Sequence, residues 1–261
     1  SFDLPEKATL ASLNISADSR YKLFVNGSFV GRGPARSDPL WQQYDSYDVT
    51  GLLRAGRNSI AVLVHHYGAP TGFSVITRGG LICQLEWTGT SGRTGTVGTD
   101  SSWRVMPARA WRRDLTPLDT TLGFPEIFNA NLEPAGWQGA DFPDSDWEQA
   151  SVIPMHAQPW SVIPREIPLL VEKEVFPVRV VRVGQVLDLS PLDAADIPHI
   201  MSREILQEAR DVKVMDAERL LEADGQYALI ENSPSTQDTP IFNGRNDASI
   251  IVDLGRIVNG F

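Results

Sequence analysis

His65-His66, the lone Cys83, the acidic run Asp141, Asp144 and Asp146, and the stretch holding Arg36, Asp38 and Trp41 are the residues whose types and spacing could do chemistry. Adjacent histidines suit a divalent metal. Successive side chains on a strand point to opposite faces, however, so both rings meet one ion only where the strand ends between them. A structural or surface role is the simpler reading. Cys83 sits in Leu81-Ile82-Cys83-Gln84-Leu85 and reads as a small buried hydrophobe rather than a nucleophile. A single cysteine excludes a disulfide framework and a thiolate metal cluster. Asp141, Asp144 and Asp146 form the carboxylate cluster of a loop, which makes calcium, with its six or more oxygen ligands, the candidate ion. Their spacing does not match a dedicated calcium loop, and helix capping is the simpler role.

Sugar recognition would use a different set. Trp41, Tyr44, Tyr47, Trp111, Trp137 and Trp160 carry rings that can stack on the C–H face of a pyranose, although aromatic residues of a β-sandwich are mostly core. Arg36, Asp38 and Trp41 share the Pro34–Gln43 loop and combine polar groups with an indole, as a sugar subsite requires. An ion pair of Arg36 with Asp38 or Asp48 that pins the loop is the alternative. Tyr67 opens Tyr67-Gly68-Ala69-Pro70-Thr71-Gly72, a loop at a sandwich end, where such folds carry ligand contacts. The carbohydrate-binding candidates are therefore Arg36, Asp38, Trp41, Tyr67 and Trp137, while Tyr47 and Trp147 are expected to pack inside. No catalytic set emerges. Glu126, Glu133 and Glu166 lack partners, and there is no nucleophile elbow, phosphate-binding glycine loop or zinc motif.

The elements that must position these groups are strands. Tyr21-Lys22-Leu23-Phe24-Val25 is followed at once by Asn26-Gly27, the pair that supplies φ > 0 for a two-residue hairpin turn, and Phe29-Val30 returns antiparallel. Asp48 is placed to cap a short helical turn at Leu52-Leu53. Gly56-Arg57-Asn58 reverses the chain, and Ser59–Val64 reads as a strand covered on both faces. Strands are predicted near 9–15, 21–25, 28–32, 59–65, 80–86, 94–98, 104–107 and 151–154, with a turn over 141–147 leading into a short helical segment that anchors Trp147. Before residue 190, Pro and Gly punctuate throughout and helical periodicity is scarce, as in all-β sandwiches. Past Pro168 the texture changes: Val175 to Leu189 reads as a strand pair or extended arm. Ser202–Arg210 reads as a helix capped by Ser202. Tyr227–Glu231 and Ser249–Leu254 read as strands. The division expected is a β-sandwich over 1–168, followed over 169–261 by a linker with that short helix and the incomplete start of a second β-domain. Ile250–Leu254 is expected to pair with the sandwich, with Tyr227–Glu231 or with a neighbouring chain, since an isolated strand leaves its ladder groups unmet.

Bulk properties narrow the partners. The 261 residues carry 23 Lys plus Arg against 33 Asp plus Glu, a net charge of −10. Nucleic acid requires clustered cations, so this balance argues against it. No apolar run approaches a membrane span, the longest being Ser59–Val64 and Val178–Val183. Ser1 falls inside what reads as an incoming strand with no leader ahead of it, so a piece of a longer, secreted or periplasmic protein is expected.

Several of these blocks together carry a resemblance. Tyr21–Gly27, Gly33-Pro34-Ala35-Arg36, Tyr47-Asp48-Val49-Thr50 and Gly56–Val62 resemble the amino-terminal β-sandwich of bacterial α-L-rhamnosidases of the family 78 type. A weaker form of the pattern occurs in the jelly-roll, galactose-binding-like domains of other glycosidases. Glu126-Ile127-Phe128-Asn129-Ala130 with Gly136-Trp137, then Phe142–Ala150, is similar to the family's second run. Trp160 with Pro164-Arg165-Glu166-Ile167-Pro168 is similar to its exit from the sandwich, and Ile250–Arg256 with Gly260 to the opening strand of its next β-domain. One departure stands out: Phe128-Asn129-Ala130-Asn131 replaces the family's common Tyr-Asp-Ala-Arg.

The resemblance implies an all-β, antiparallel jelly-roll fold and a parent enzyme that hydrolyses terminal α-L-rhamnosides by inversion. It also implies that the two carboxylates of that reaction lie on a helical barrel downstream, outside this chain. The fragment is then expected to be inactive alone, to support that catalytic domain and to contact rhamnose-containing glycan. Some sugar-binding domains of rhamnosidases use calcium. The alternatives are a free-standing carbohydrate-binding module, an accessory domain of another glycosidase such as a β-galactosidase, and a sandwich with no ligand at all.

Overall fold

The structure, a computed structural model, describes residues 1–72, 74–75, 77–115, 117, 123–154, 161–186, 206–209, 212–222, 226–232 and 248–257. The chain divides into two compact units, Ser1–Arg112 with Asp119–Leu169, and Arg113–Leu118 with Leu170–Phe261. In the first unit the strands are β1 (Phe2–Leu4), β2 (Ala8–Asp18), β3 (Arg20–Val25), β4 (Ser28–Gly33), β5 (Gln42–Asp48) and β6 (Gly56–Asn58). They continue with β7 (Ile60–His65), β8 (Gly80–Gly89), β9 (Thr94–Gly98), β10 (Arg104–Val105), β11 (Glu148–Gln149) and β12 (Val162–Pro164).

The fold is all-β, and its main sheets follow from alternation along the strands. β2 turns Ala11, Leu13, Ile15 and Ala17 inward, β3 turns Tyr21, Leu23 and Val25, and β8 turns Cys83, Leu85 and Trp87. These residues join one buried cluster, so a five-stranded sheet in the order β12-β5-β2-β8-β9 and a three-stranded sheet in the order β4-β3-β7 share a core. Full burial of each large aliphatic side chain stabilises by about 1.5–3 kcal/mol. Pairing is antiparallel except where β12 runs parallel to β5, with Val162 opposite Gln42.

The Asn-Gly hairpin forms as its sequence demands, with φ 51° at Asn26 and 83° at Gly27. Asn26 also has a second task. Its amide donates to Leu52 O at 2.7 Å and to Asn58 Oδ1 at 2.8 Å, while its Oδ1 accepts from Ser59 N at 2.8 Å. Asn58, fully buried, accepts from Arg54 N and donates to Arg54 O and Gly56 O. Two asparagines thus tie the hairpin to the 54–58 turn, and each buried amide finds its partners.

The structure departs from the sequence reading in places. Gln42–Asp48 is a full strand that the sequence reading did not name, and it leads, as expected, into a short helical turn at Thr50–Leu52 that Asp48 caps at Thr50 N, 2.9 Å. Residues 151–154 are not a strand; the pairing there is β10 with β11, Arg104 opposite Gln149. Residues 141–147 form turns instead of a helical segment, and Trp147 packs half-buried, edge-on to Phe142 at 5.5 Å. Trp160 lies outside the described residues.

In the second unit β13 (Arg179–Val186), β14 (Leu206–Glu208), β15 (Val212–Met215), β16 (Leu229–Asn232) and β17 (Ala248–Asp253) form two antiparallel sheets, β14-β13-β17 and β15-β16. The helix expected over Ser202–Arg210 is corrected where it is described: Leu206–Glu208 is a strand paired to β13, with Val186 opposite Leu206. Tertiary pairing overrides a local helix preference that is worth only tenths of a kcal/mol per residue. The partner of Ile250–Leu254 is none of the three expected. β17 pairs with β13, and Arg179 bonds Asp253 at 2.8 Å at the end of that ladder. Among the described residues no helix is long and apolar enough to cross a membrane.

Candidate functional site

Two buried aspartates organise the polar chemistry of the first unit. Asp45, on β5, is 0% exposed. Its carboxylate accepts a hydrogen bond from the Tyr21 hydroxyl and forms an ion pair with Arg165 Nη1 at 2.6 Å. Burial and the bond to Asp45 hold the Tyr21 phenol far above its ordinary pKa, so it stays a donor. The Tyr47 hydroxyl lies 3.1 Å from that of Tyr21. Arg165 spends its other nitrogens on Ile167 O and Pro168 O, and its amide bonds Tyr44 O at 3.0 Å. This closed knot explains two glycines, because a Cβ on Gly33 would fall on the Asp45 carboxylate and one on Gly31 would meet the Tyr47 ring at 2.6 Å. It also joins sequence blocks that the chain keeps far apart, Gly33-Pro34 and Pro164–Pro168.

Asp18, 7% exposed, ends β2 and faces different company. Its Oδ1 accepts from Ser19 Oγ at 3.1 Å and lies 3.2 Å from His66 Nδ1, and its Oδ2 accepts from Thr77 Oγ1. Here the chain opens a cleft of about 50 Å³. Asp18, Ser19 and Arg20 line it from the β2–β3 junction, and Pro34 to Ser37, Pro39 and Gln42 line it from the loop before β5. Tyr67, Ser74 and Val75 complete it from the segment after β7. Arg20 Nε donates to the Tyr67 hydroxyl at 2.6 Å, and Ser19 Oγ accepts from Tyr67 N at 3.2 Å. The Tyr67 ring is held edge-on to His65 at 4.8 Å and tilted against Phe124 at 5.9 Å. The Gln42 amide donates to Ser16 Oγ and Ala17 O, fixing the loop to the end of β2.

The sequence candidates therefore separate. Arg36 and Tyr67 line the cleft. Asp38 sits beside it, but its carboxylate caps the turn Pro39–Trp41 by accepting from Leu40 N at 2.8 Å instead of reaching Arg36. Trp41 stands on the same turn, 62% exposed. Trp137 is not brought there: it packs on Phe24 at 5.5 Å toward the Asn26–Gly27 end of β3 and donates its indole N–H to Glu133 at 3.0 Å. Tyr47 is buried, Tyr44 is half-buried, and Trp111 stacks on Phe128 at 4.5 Å with its N–H on Glu126. Glu126 and Glu133 thus have indole partners that their sequence positions did not reveal. Asp141, Asp144 and Asp146 are not assembled into a ligand set. Among the described residues no group of three or more His, Cys, Asp or Glu side chains is placed to hold a metal ion. β7 ends at His65, and the two imidazoles diverge, His65 to Tyr67 and His66 to Asp18. Cys83 is buried, and that burial pushes its thiol up to about 12. Asp18, Ser19 and Arg20 were missed by sequence reasoning; the one signal was a run of polar residues abutting a strand pattern.

What the cleft can do follows from its lining. Among the described residues it offers hydroxyls, a phenol, guanidinium groups and one carboxylate, Asp18. Pockets that enclose a small ligand run to roughly 300–1,000 Å³. A cleft this small grips part of a polar molecule at the surface.

Comparison with known proteins bears on whose cleft this is. A family model described as the alpha-L-rhamnosidase N-terminal domain matches residues 6–181. An alpha-L-rhamnosidase of Streptomyces avermitilis is 30% identical over 160 residues, 60% of this chain and 12% of the relative. One from Formosa agariphila is 26% identical over 165 residues, 59% of this chain and 17% of the relative. The crystal structure of a GH78 rhamnosidase of Bacillus sp. GL1 superposes with a TM-score of 0.65 at 40% identity, over 72% of this chain and 20% of that one. The chain thus spans between 12% and 17% of the curated relatives it matches.

Proposed function

We propose a non-catalytic, glycan-contacting role for this chain, which belongs to the alpha-L-rhamnosidase N-terminal domain family. In this reading it is the amino-terminal portion of an enzyme that removes terminal α-L-rhamnosyl groups by inversion. The acid and the base of that reaction are supplied by a catalytic domain elsewhere in the same protein. The sandwich supports that domain and meets the rhamnose-containing glycan at the cleft bordered by Arg36 and Tyr67, with Asp38 and Trp41 on its rim.

The observation that carries the reading is the composition of the cleft. Glycoside hydrolysis by inversion needs two carboxyl groups roughly 6.5–9.5 Å apart, one to protonate the leaving oxygen and one to activate water. Among the described residues the lining holds one carboxylate, Asp18, already engaged by Ser19, Thr77 and His66. The lining also carries the Tyr67 phenol and the Arg20 guanidinium, which suit binding. The supporting role draws on Arg165: its buried pair with Asp45 fixes where residues 165–168 leave the sandwich, as a mount for further chain would require.

The test has two arms. The purified chain is expected to release no rhamnose from an aryl α-L-rhamnoside, and calorimetric titration with a rhamnose-containing oligosaccharide is expected to show binding that weakens in Arg36→Ala and Tyr67→Ala. Hydrolysis by the chain would overturn the division of labour. Binding unchanged in both variants would remove the cleft from the account.

A further inference from the structure

The guanidinium of Arg20 is the least accounted-for charge in the cleft. Arg20 is half-buried, and its Nε is fixed by the bond to the Tyr67 hydroxyl at 2.6 Å. That hydroxyl is itself held, because His65 and Phe124 pin the ring that carries it. Among the described residues no carboxylate forms an ion pair with Arg20, whereas the other half-buried arginine of this unit with a fixed geometry, Arg165, has Asp45. Arginine stays charged at any working pH, and it presents its N–H groups as a planar fork. With Nε used, the Nη donors of that fork remain, oriented in advance.

We propose that the cleft is a carboxylate subsite in which Arg20 receives the uronate group of an acidic glycan. The inference rests on the reading of the cleft as a glycan contact and names the part of the glycan that enters it. Four features favour a carboxylate. A planar carboxylate matches a guanidinium fork with two parallel hydrogen bonds, which are stronger than those of a neutral hydroxyl. The volume of about 50 Å³ suits a carboxylate-sized group rather than a whole pyranose, given that one water needs about 10–15 Å³ on the same measure. The Tyr67 hydroxyl accepts from Arg20 Nε and keeps its own O–H to donate, whereas the protons of Ser19 and Ser37 are already given to Asp18 and to Ala35 O. Finally, a protein of net charge −10 repels anions at long range, so an anionic ligand must find a local cation, and Arg20 and Arg36 both line this cleft. Asp18 sets the limit. Its single negative charge, shared among Ser19, Thr77 and His66, is compatible with a monoanion beside it and disfavours a phosphate dianion.

The experiment titrates the 261-residue chain with a rhamnosyl–uronate disaccharide, with the methyl ester of the same disaccharide and with L-rhamnose, at low and high salt. The acid is expected to bind at least about tenfold tighter than the ester, as the loss of hydrogen bonds to a charged group implies, and to weaken as salt rises. Arg20→Gln should abolish the difference between acid and ester. Arg20→Lys should restore part of the charge dependence without the full affinity, since lysine lacks the fork. Each variant is checked against the parent by its thermal unfolding midpoint, and Tyr67→Phe, which removes only the hydroxyl that anchors Nε, should weaken the acid several-fold. Equal affinity for acid and ester, or an unchanged acid affinity in Arg20→Gln, would overturn the inference while leaving the glycan reading intact. No binding of any of the three sugars would overturn both. An acidic peptide bound as tightly as the disaccharide would overturn the assignment to glycan.

Discussion

Asp45 and Asp18 are carried by neighbouring strands of one sheet and are both withdrawn from water, yet one is sealed and the other is open. Asp45 is met by a tyrosine and an arginine that leave it no access, and its neighbours Gly31 and Gly33 leave no room for a side chain. Asp18 is met by a serine, a threonine and a histidine, and it borders a cleft. A buried carboxylate is costly either way. At Asp45 the cost is offset by an ion pair that fixes the exit of the chain. At Asp18 it is offset by short polar side chains and His66, and among the described residues no carboxylate forms an ion pair with Arg20 beside it. The contrast separates a structural charge from the proposed recognition site by their partners, not by their burial.

The sharpest way to break the contrast is to unpair Asp45. Arg165→Met should destabilise the first unit by about 3–5 kcal/mol, because it strands a buried carboxylate, and chemical denaturation measures it. A loss near zero would make the knot dispensable. Gly33→Ala places a methyl group on the same carboxylate and should cost about 1–3 kcal/mol by overpacking, read as a lowered unfolding midpoint.

At the open aspartate the effect should move from stability to binding. Asp18→Asn keeps one acceptor and turns the other oxygen into an amide donor, so one of the bonds from Ser19 and Thr77 is lost or reversed and the cost in stability should be about 1–2 kcal/mol. By removing a negative charge beside Arg20 it should tighten uronate binding about two- to fivefold, as expected for one charge at partly screened range. Weaker uronate binding in that variant would contradict the picture of Asp18 as the limiting charge.

The proton balance of the neighbouring histidine sharpens the comparison further. Desolvation lowers the pKa of His65 below its ordinary value of 6.5, against a smaller opposing pull from Glu126. The unfolded chain therefore takes up this proton first as the pH falls. Stability should decline as pH drops through about 6.5 and level off below the folded-state value, and His65→Gln should remove that part of the slope in a pH series of unfolding midpoints. The smallest effect is expected at Trp41, whose exposed ring should cost under about 0.5 kcal/mol when replaced by alanine, while weakening oligosaccharide binding in the same titration.

Much of the sandwich was legible where the code is local. Asn26-Gly27 specifies its hairpin, and the apolar alternation of β2, β3 and β8 locates the core. β5 was not legible as a strand because the residues it turns inward are Gln42, Asp45 and Tyr47, and a polar inward face carries no apolar period. What makes that face acceptable is Arg165, 120 positions away. The same distance problem hid the cleft: Asp18 depends on His66 and Thr77, 48 and 59 positions further on. Of the candidate sugar contacts, Arg36 and Tyr67 come to one cleft because a loop beside a strand end stays at the sandwich end, whereas Trp137 folds back onto Phe24. The Leu206–Glu208 strand shows the reverse failure, a locally helical pattern captured by the free edge of β13.

The most direct measurement is a two-dimensional amide NMR titration of the chain with the rhamnosyl–uronate disaccharide. The account predicts saturable shifts centred on Ser19, Arg20, Arg36 and Tyr67, with the amides around Asp45 and Arg165 unmoved. Shifts centred on Trp137 and Phe24, or none at saturating sugar, would contradict it.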